Sequence, residues 1–175
     1  MGFSASPLSP VNPHLKRWML FVDGENMTIR GQEFAKMCGV DLPSGDWYQP
    51  DRFLWLPVGR MRATSILTPH LREHGLLLQE QAIRAFFYTS VYGDDNTLLD
   101  TREALWRLGF NVEVFKKGRK GEKAKGVDIA LTKDMLSNAF LNNYDVAVVI
   151  TGDADYRPVI DEVKRLGKTV CLMAF

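Results

Sequence analysis

Cysteine and histidine are scarce in this chain of 175 residues, with two cysteines and three histidines. Cys38 and Cys171 lie far apart, fit no zinc spacing and no disulfide framework, and read as buried free thiols in a reducing cytoplasm. His70 and His74 would share one helix face, but no third ligand accompanies them, so a zinc site is not indicated. Long apolar runs are missing too. None approaches the roughly 18 residues of a membrane span, so no membrane partner is expected. The first 13 residues hold three prolines, three serines and no basic residue. They do not form a signal peptide and read as part of a loosely ordered leader over residues 1–17. A charge excess is also lacking: 22 basic against 21 acidic residues leave a net charge of +1. That balance argues against a general polyanion binder and makes the placement of the charges the informative quantity. No internal repeat is present.

What the chain does have is a globular composition, 46% apolar and 25% charged, and a regular alternation of elements. The length suits one domain, residues 18–175. Trp18 to Val22 is a short apolar run ending at Asp23, followed by a helix over about Asn26–Met37 closed by Gly39. Residues 83–92, rich in aromatic and β-branched side chains, read as a strand. Gly93-Asp94-Asp95-Asn96 breaks it and offers helix N-caps. The next helix carries Leu98, Leu99, Arg102, Leu105, Trp106 and Leu108 and ends at Gly109. A strand over 110–115 follows. A helix over 127–141 has Ile129, Leu131, Met135, Leu136 and Phe140 as its apolar positions. Val146–Ile150 is an apolar strand of the kind covered on both faces. A helix over 156–166 stops at Gly167, and Thr169 begins a final strand. Phe86, Phe87, Tyr88, Leu105 and Trp106 are expected in the core. The alternation predicts an α/β fold: a mostly parallel sheet of about five strands with helices on both faces. Residues from about 40 to 60 break the period and read as an insertion, followed by a helix over about Met61–His74.

In an open parallel sheet, ligands bind beyond the carboxyl ends of the strands. Asp23 follows the first strand, Asp153 and Asp155 follow the strand 146–150, and Asp128 opens the helix feeding that strand. Four such carboxylates converging would repel one another and raise one or more pKa values unless a cation neutralised them. An oxygen-only set with no His or Cys selects a hard divalent ion, Mg²⁺ or Mn²⁺. Such an ion polarises a phosphoryl oxygen and acidifies a bound water, which points to phosphoester hydrolysis. Each acid also has a plainer reading, Asp23 as a turn former and Asp128, Asp153 and Asp155 as helix caps.

Three segments carry a family resemblance. Phe21-Val-Asp23-Gly-Glu-Asn26, Lys125-Gly-Val-Asp128-Ile-Ala-Leu-Thr-Lys-Asp134 and Val149-Ile-Thr151-Gly-Asp153-Ala-Asp155-Tyr-Arg-Pro resemble the three motifs of the NYN domain, LabA-like branch, of the PIN-like nuclease superfamily. The resemblance covers about residues 18–175 and is poor over 40–80. It implies a three-layer α/β/α PIN-like, Rossmann-like fold. It further implies a metal-dependent ribonuclease, or a protein derived from one, using Mg²⁺ or Mn²⁺. Asp23, Asp128, Asp153 and Asp155 match the acidic catalytic and metal positions. Asn26 and Thr151 match supporting positions. Asp134 matches a further motif acid, yet lies about 240° round the helix from Asp128 and is expected in support.

Residues 116–125 hold six of the 22 basic residues and one of the 21 acids, which leaves the rest of the chain four charges negative. Lys116, Lys117, Arg119, Lys120, Lys123 and Lys125 therefore form a cationic loop leading into Asp128, suited to a nucleic-acid backbone or simply solvated. Trp47, Tyr48, Phe53 and Trp55 cluster in the insertion. They could stack bases, pin a loop or cover a homodimer contact. The leading function is a metal-dependent nuclease acting on RNA, single-stranded in preference. A catalytically weak or inactive RNA-binding protein on the same fold is the alternative. A haloacid-dehalogenase-like phosphatase needs an Asp-x-Asp pair after its first strand, where this chain has Glu25.

Overall fold

A computed structural model describes residues 15–40, 82–118 and 126–174, with the backbone of 48–49 and 54–55. Five parallel strands form the central sheet. They are β1 (Trp18–Asp23), β4 (Arg84–Tyr92), β5 (Asn111–Lys117), β6 (Val146–Ile150) and β7 (Thr169–Met173), in the order β5-β4-β1-β6-β7. A short antiparallel ribbon, β2 (Tyr48–Gln49) with β3 (Leu54–Trp55), lies in the insertion. The helices are α1 (Gly24–Met37), α2 (Asp95–Arg107), α3 (Val127–Phe140) and α4 (Arg157–Arg165), the last preceded by a 3-10 turn at Ala154–Tyr156. The leader, the helix expected over 61–74 with His70 and His74, and the side chains of the aromatic insertion lie outside the described residues.

Why the sheet sits between two helical layers follows from β1. Every residue of this central strand is buried. Its side chains alternate between faces, as a strand requires. Met19 and Phe21 enter one core with Leu131 and Met135 of α3 and Val159 and Val163 of α4. Trp18, Leu20 and Val22 enter the other with Leu105 of α2, and Met27 of α1 packs against it. A strand covered on both faces has no polar side to show, which is why it reads as an unbroken apolar run.

Some expectations need correction. Trp106 is 70% exposed. Thr101 and Leu105, four apart, take the inward stripe of α2, and Trp106, about 100° further round, overhangs it. Ile129 and Phe140 likewise face outward from α3. Both cysteines are free, but Cys38 is exposed just past α1 and Cys171 is only half-buried. Asp94 does cap α2, accepting the Thr97 N–H at 2.8 Å.

Candidate active site

The carboxyl ends of β1 and β6 are tied together by side chains from both corners. Asp23 ends β1 and caps α1: one carboxylate oxygen accepts the Asn26 N–H at 3.0 Å. The other accepts the Thr151 hydroxyl at 3.2 Å. Thr151, just beyond β6, in turn accepts the Asp153 N–H at 3.1 Å. A second tie runs through Asn26, whose side-chain oxygen accepts the Gly152 N–H at 2.7 Å. The supporting roles expected of Asn26 and Thr151 thus have a geometry. Gly24 makes the turn possible, because a Cβ there would stand 2.1 Å from the buried Phe87 ring.

Asp128 approaches from the other face of the sheet. It occupies the first turn of α3, but the N-cap position is Gly126, which makes no side-chain cap. Asp128 instead accepts the Tyr156 hydroxyl at 2.9 Å. Tyr156 is 3% exposed. Its phenol is pushed far above the usual range, first by burial and then by the charges of Asp23, Asp128 and Asp153. One hydroxyl therefore feels all three acids. The sequence reading assigned Tyr156 no role, and its only signal was an aromatic residue directly after the Gly-Asp-Ala-Asp run.

These groups line a cavity of about 520 Å³. Asp23, Glu25, Asn26, Asp128, Gly152 and Asp153 contribute to it, with Ile29, Arg30 and Glu33 of α1 along one wall. Asp23 is 3% exposed. Its carboxyl is pushed up to about 6, chiefly by burial, against the pull of the Asn26 N–H and the Thr151 hydroxyl; Asp128 and Glu25 add a smaller push. The expected rise in a carboxylate pKa is present, but desolvation rather than mutual repulsion is its main cause.

Glu25 turns the opposite way along the sheet edge. It accepts the Ser90 hydroxyl and the Lys117 ammonium, both at 2.6 Å. The Lys117 side chain is 2% exposed, so this residue closes β5 as a buried partner and does not stand on a solvated loop. Lys116 is exposed and pairs with Asp95 at 2.7 Å. Arg119, Lys120, Lys123 and Lys125 lie outside the described residues. Arg30 pairs with Glu33 at 2.8 Å at the cavity wall. Glu25, Arg30 and Tyr156 are the residues the sequence reading left without a role.

Two expected site residues are not brought to this cavity. Asp155 is exposed. Its N–H caps onto the Asp153 carboxylate at 2.9 Å, and two residues along a 3-10 turn its own side chain is about 240° away. Asp134 accepts the Tyr88 hydroxyl at 2.9 Å and lines a separate cavity beside β5. Its angular phase on α3 accounts for that. The three acids that do share the cavity offer only oxygen, a donor set suited to Mg²⁺ or Mn²⁺. As the side chains stand, no three acidic, histidine or cysteine groups among the described residues close on one ion. Asp128 and Asp153 each spend only one oxygen on the contacts described, so the donor chemistry fits and the closure does not yet exist.

Among curated proteins none matches the chain. The fold is similar to the crystal structure of a protein of unknown function from Vibrio parahaemolyticus. The TM-score is 0.58 at 16% identity, over 93% of this chain and 83% of that one. The NYN domain family model matches residues 17–175, nearly the whole length and all three acidic segments. The chain belongs to the NYN domain family, a family of PIN-like nucleases.

Proposed function

We propose that this protein hydrolyses phosphodiester bonds in nucleic acid, single-stranded RNA in preference, at the cavity where Asp23, Asp128 and Asp153 meet. The observation that carries the reading is Asp23. It is a buried acid whose hydrogen-bond donors, the Asn26 N–H and the Thr151 hydroxyl, are both neutral. A buried carboxylate without a cation is unfavourable for folding, and such sites are more often functional than structural. Mg²⁺ or Mn²⁺ bound by Asp23, Asp128 and Asp153 would supply a Lewis acid and an acidified water.

The chain's own residues do the rest. Thr151 and the Asn26 N–H fix the Asp23 carboxylate, and Tyr156 fixes that of Asp128, so neither must be ordered when substrate arrives. The Asn26–Gly152 tie holds the corner after β6 against α1. Arg30, on the cavity wall, is the group there that can meet a phosphate charge. The exposed free thiol of Cys38 fits a reducing compartment, and we place the protein in the cytoplasm. No helix among the described residues is long and apolar enough to cross a membrane.

A second reading, an RNA-binding protein with weak or no catalysis, is favoured by the open arrangement of the acids. Incubation of labelled RNA with Mn²⁺ or with EDTA separates the two. The wild type should cleave only with Mn²⁺, and Asp23→Asn, Asp128→Asn and Asp153→Asn should each lose most activity. Binding without cleavage in all four proteins supports the second reading.

A further inference from the structure

The carboxyl edge of the sheet continues past the acidic cavity to β4 and β5, where a second cavity of about 540 Å³ is lined by Tyr92, Gly93, Lys116, Lys117 and Gly118. Its volume is within the range of small-ligand sites, roughly 300–1,000 Å³. Tyr92 is the last residue of β4 and is 46% exposed. It lies opposite Lys117 in the strand register, and Lys116, one residue earlier on β5, projects to the other face of the sheet, so that Tyr92 and Lys116 line the cavity from opposite sides. Lys116 presents an exposed ammonium whose partner, Asp95, is 88% exposed. Exposed pairs of this kind contribute little, so an incoming phosphate could take Asp95's place. The two cavities are neighbours: Glu25 lines the first, Lys117 lines the second, and the two side chains are bonded at 2.6 Å.

We propose that this second cavity is a subsite for one nucleotide of single-stranded nucleic acid flanking the bond that is cut. The Tyr92 ring stacks on its base and Lys116 meets its phosphate. The chemistry is specific to a single strand. A paired base keeps its faces stacked on its neighbours, whereas an unpaired one offers a face to an exposed aromatic ring. Gly93 and Gly118, both exposed, complete the lining. The Glu25–Lys117 pair positions the two cavities along one edge, so that a strand held at Tyr92 runs toward Asp23. The subsite rests on the nuclease reading for its place beside a cut bond, but not for its affinity.

Equilibrium binding of a fluorescent single-stranded oligoribonucleotide to the full chain in EDTA, across a salt series, tests it. A duplex of the same sequence and a DNA strand serve as further arms. Tyr92→Ala should weaken single-strand binding by roughly five- to a hundredfold, with the salt dependence unchanged. Tyr92→Phe, which keeps the ring, should bind as the wild type does. Lys116→Ala should lower the log–log salt slope by about 0.7. Duplex binding should not respond to Tyr92, and loss on RNA and DNA alike marks stacking as the cause. Wild-type binding by Tyr92→Ala, equal loss in Tyr92→Ala and Tyr92→Phe, or no single-strand binding by the wild type would each overturn the subsite. Failure of the nuclease reading looks different: the wild type binds single strands through Tyr92 yet cleaves none with Mn²⁺.

Discussion

The two ends of the sheet treat charge in opposite ways. At the amino end, beside β1 and β6, Asp145 receives the Arg17 guanidinium through two bonds, at 2.9 and 3.2 Å, and the Arg17 N–H at 2.8 Å. The Arg17 hydrogen bonds hold the Asp145 carboxyl below its ordinary range, and Asp145 raises Arg17 in return. At the carboxyl end, Asp23 is pushed up to about 6, mostly by burial. Glu25 is matched there by Lys117, while the bonds to Asp23 come from neutral groups. One end pairs its acid and gains stability from it. The other keeps a buried acid whose hydrogen-bond donors are neutral, an unfavourable state that the fold must carry.

The largest expected effect tests the paired acid within the unpaired end. Lys117→Met should leave Glu25 without its cation and lower unfolding free energy in urea by about 3–5 kcal/mol, the usual result of breaking a buried pair. Adding Glu25→Gln should recover much of that. A loss below 1 kcal/mol would mean that the pair is solvated and that the carboxyl end is less dry than described.

Next is Asp23. Its folded pKa exceeds the unfolded one, so the native state holds the extra proton and stability falls as pH rises through the interval. The penalty is absent below about 3.9, grows toward about 6 and is full above it. Asp23→Asn in EDTA should therefore be more stable than the wild type at neutral pH, by about 3 kcal/mol, and the gap should close on acidification. A variant less stable at pH 7 would assign Asp23 to helix capping alone.

The smallest effect is at the other end, with the opposite sign. Asp145 has a lowered folded pKa, so its contribution is present above the unfolded pKa and lost as pH falls through the folded one. Asp145→Asn should be less stable at neutral pH by no more than about 1 kcal/mol, because the pair is partly exposed and screened. The difference should shrink in acid and in high salt. If Asp145→Asn and Asp23→Asn moved stability in the same direction at pH 7, the contrast between the two ends would fail.

The strands were legible because covered strands carry unbroken apolar runs. Val146–Ile150 agrees at both bounds with its reading from sequence. Position along a helix was harder. The rule that ligands gather at carboxyl ends picks out Asp23, Asp128 and Asp153, which line one cavity, and also Asp155, which the 3-10 turn leaves exposed; helix phase already set Asp134 apart from Asp128, and Asp134 meets Tyr88. Trp106 misled through its phase, one residue past the inward Leu105. The Glu25–Lys117 pair spans 92 residues and depends on β5 lying beside β4 and β4 beside β1, an order that strand patterns do not specify. Tyr156 was hidden because it meets Asp128 only once α3 and α4 pack on the same face. Burial at the end of the central strand also explains the raised pKa of Asp23.

Whether Asp23 takes a cation is read from thermal melting of the wild type and Asp23→Asn, each in EDTA and in Mn²⁺. The wild type should melt lower in EDTA than the variant and rise with Mn²⁺, as binding to the native state alone requires, while the variant should show little or no Mn²⁺ shift. Equal Mn²⁺ shifts in the two proteins, with the variant melting lower in EDTA, would contradict a cation at Asp23 and leave that residue as a helix cap.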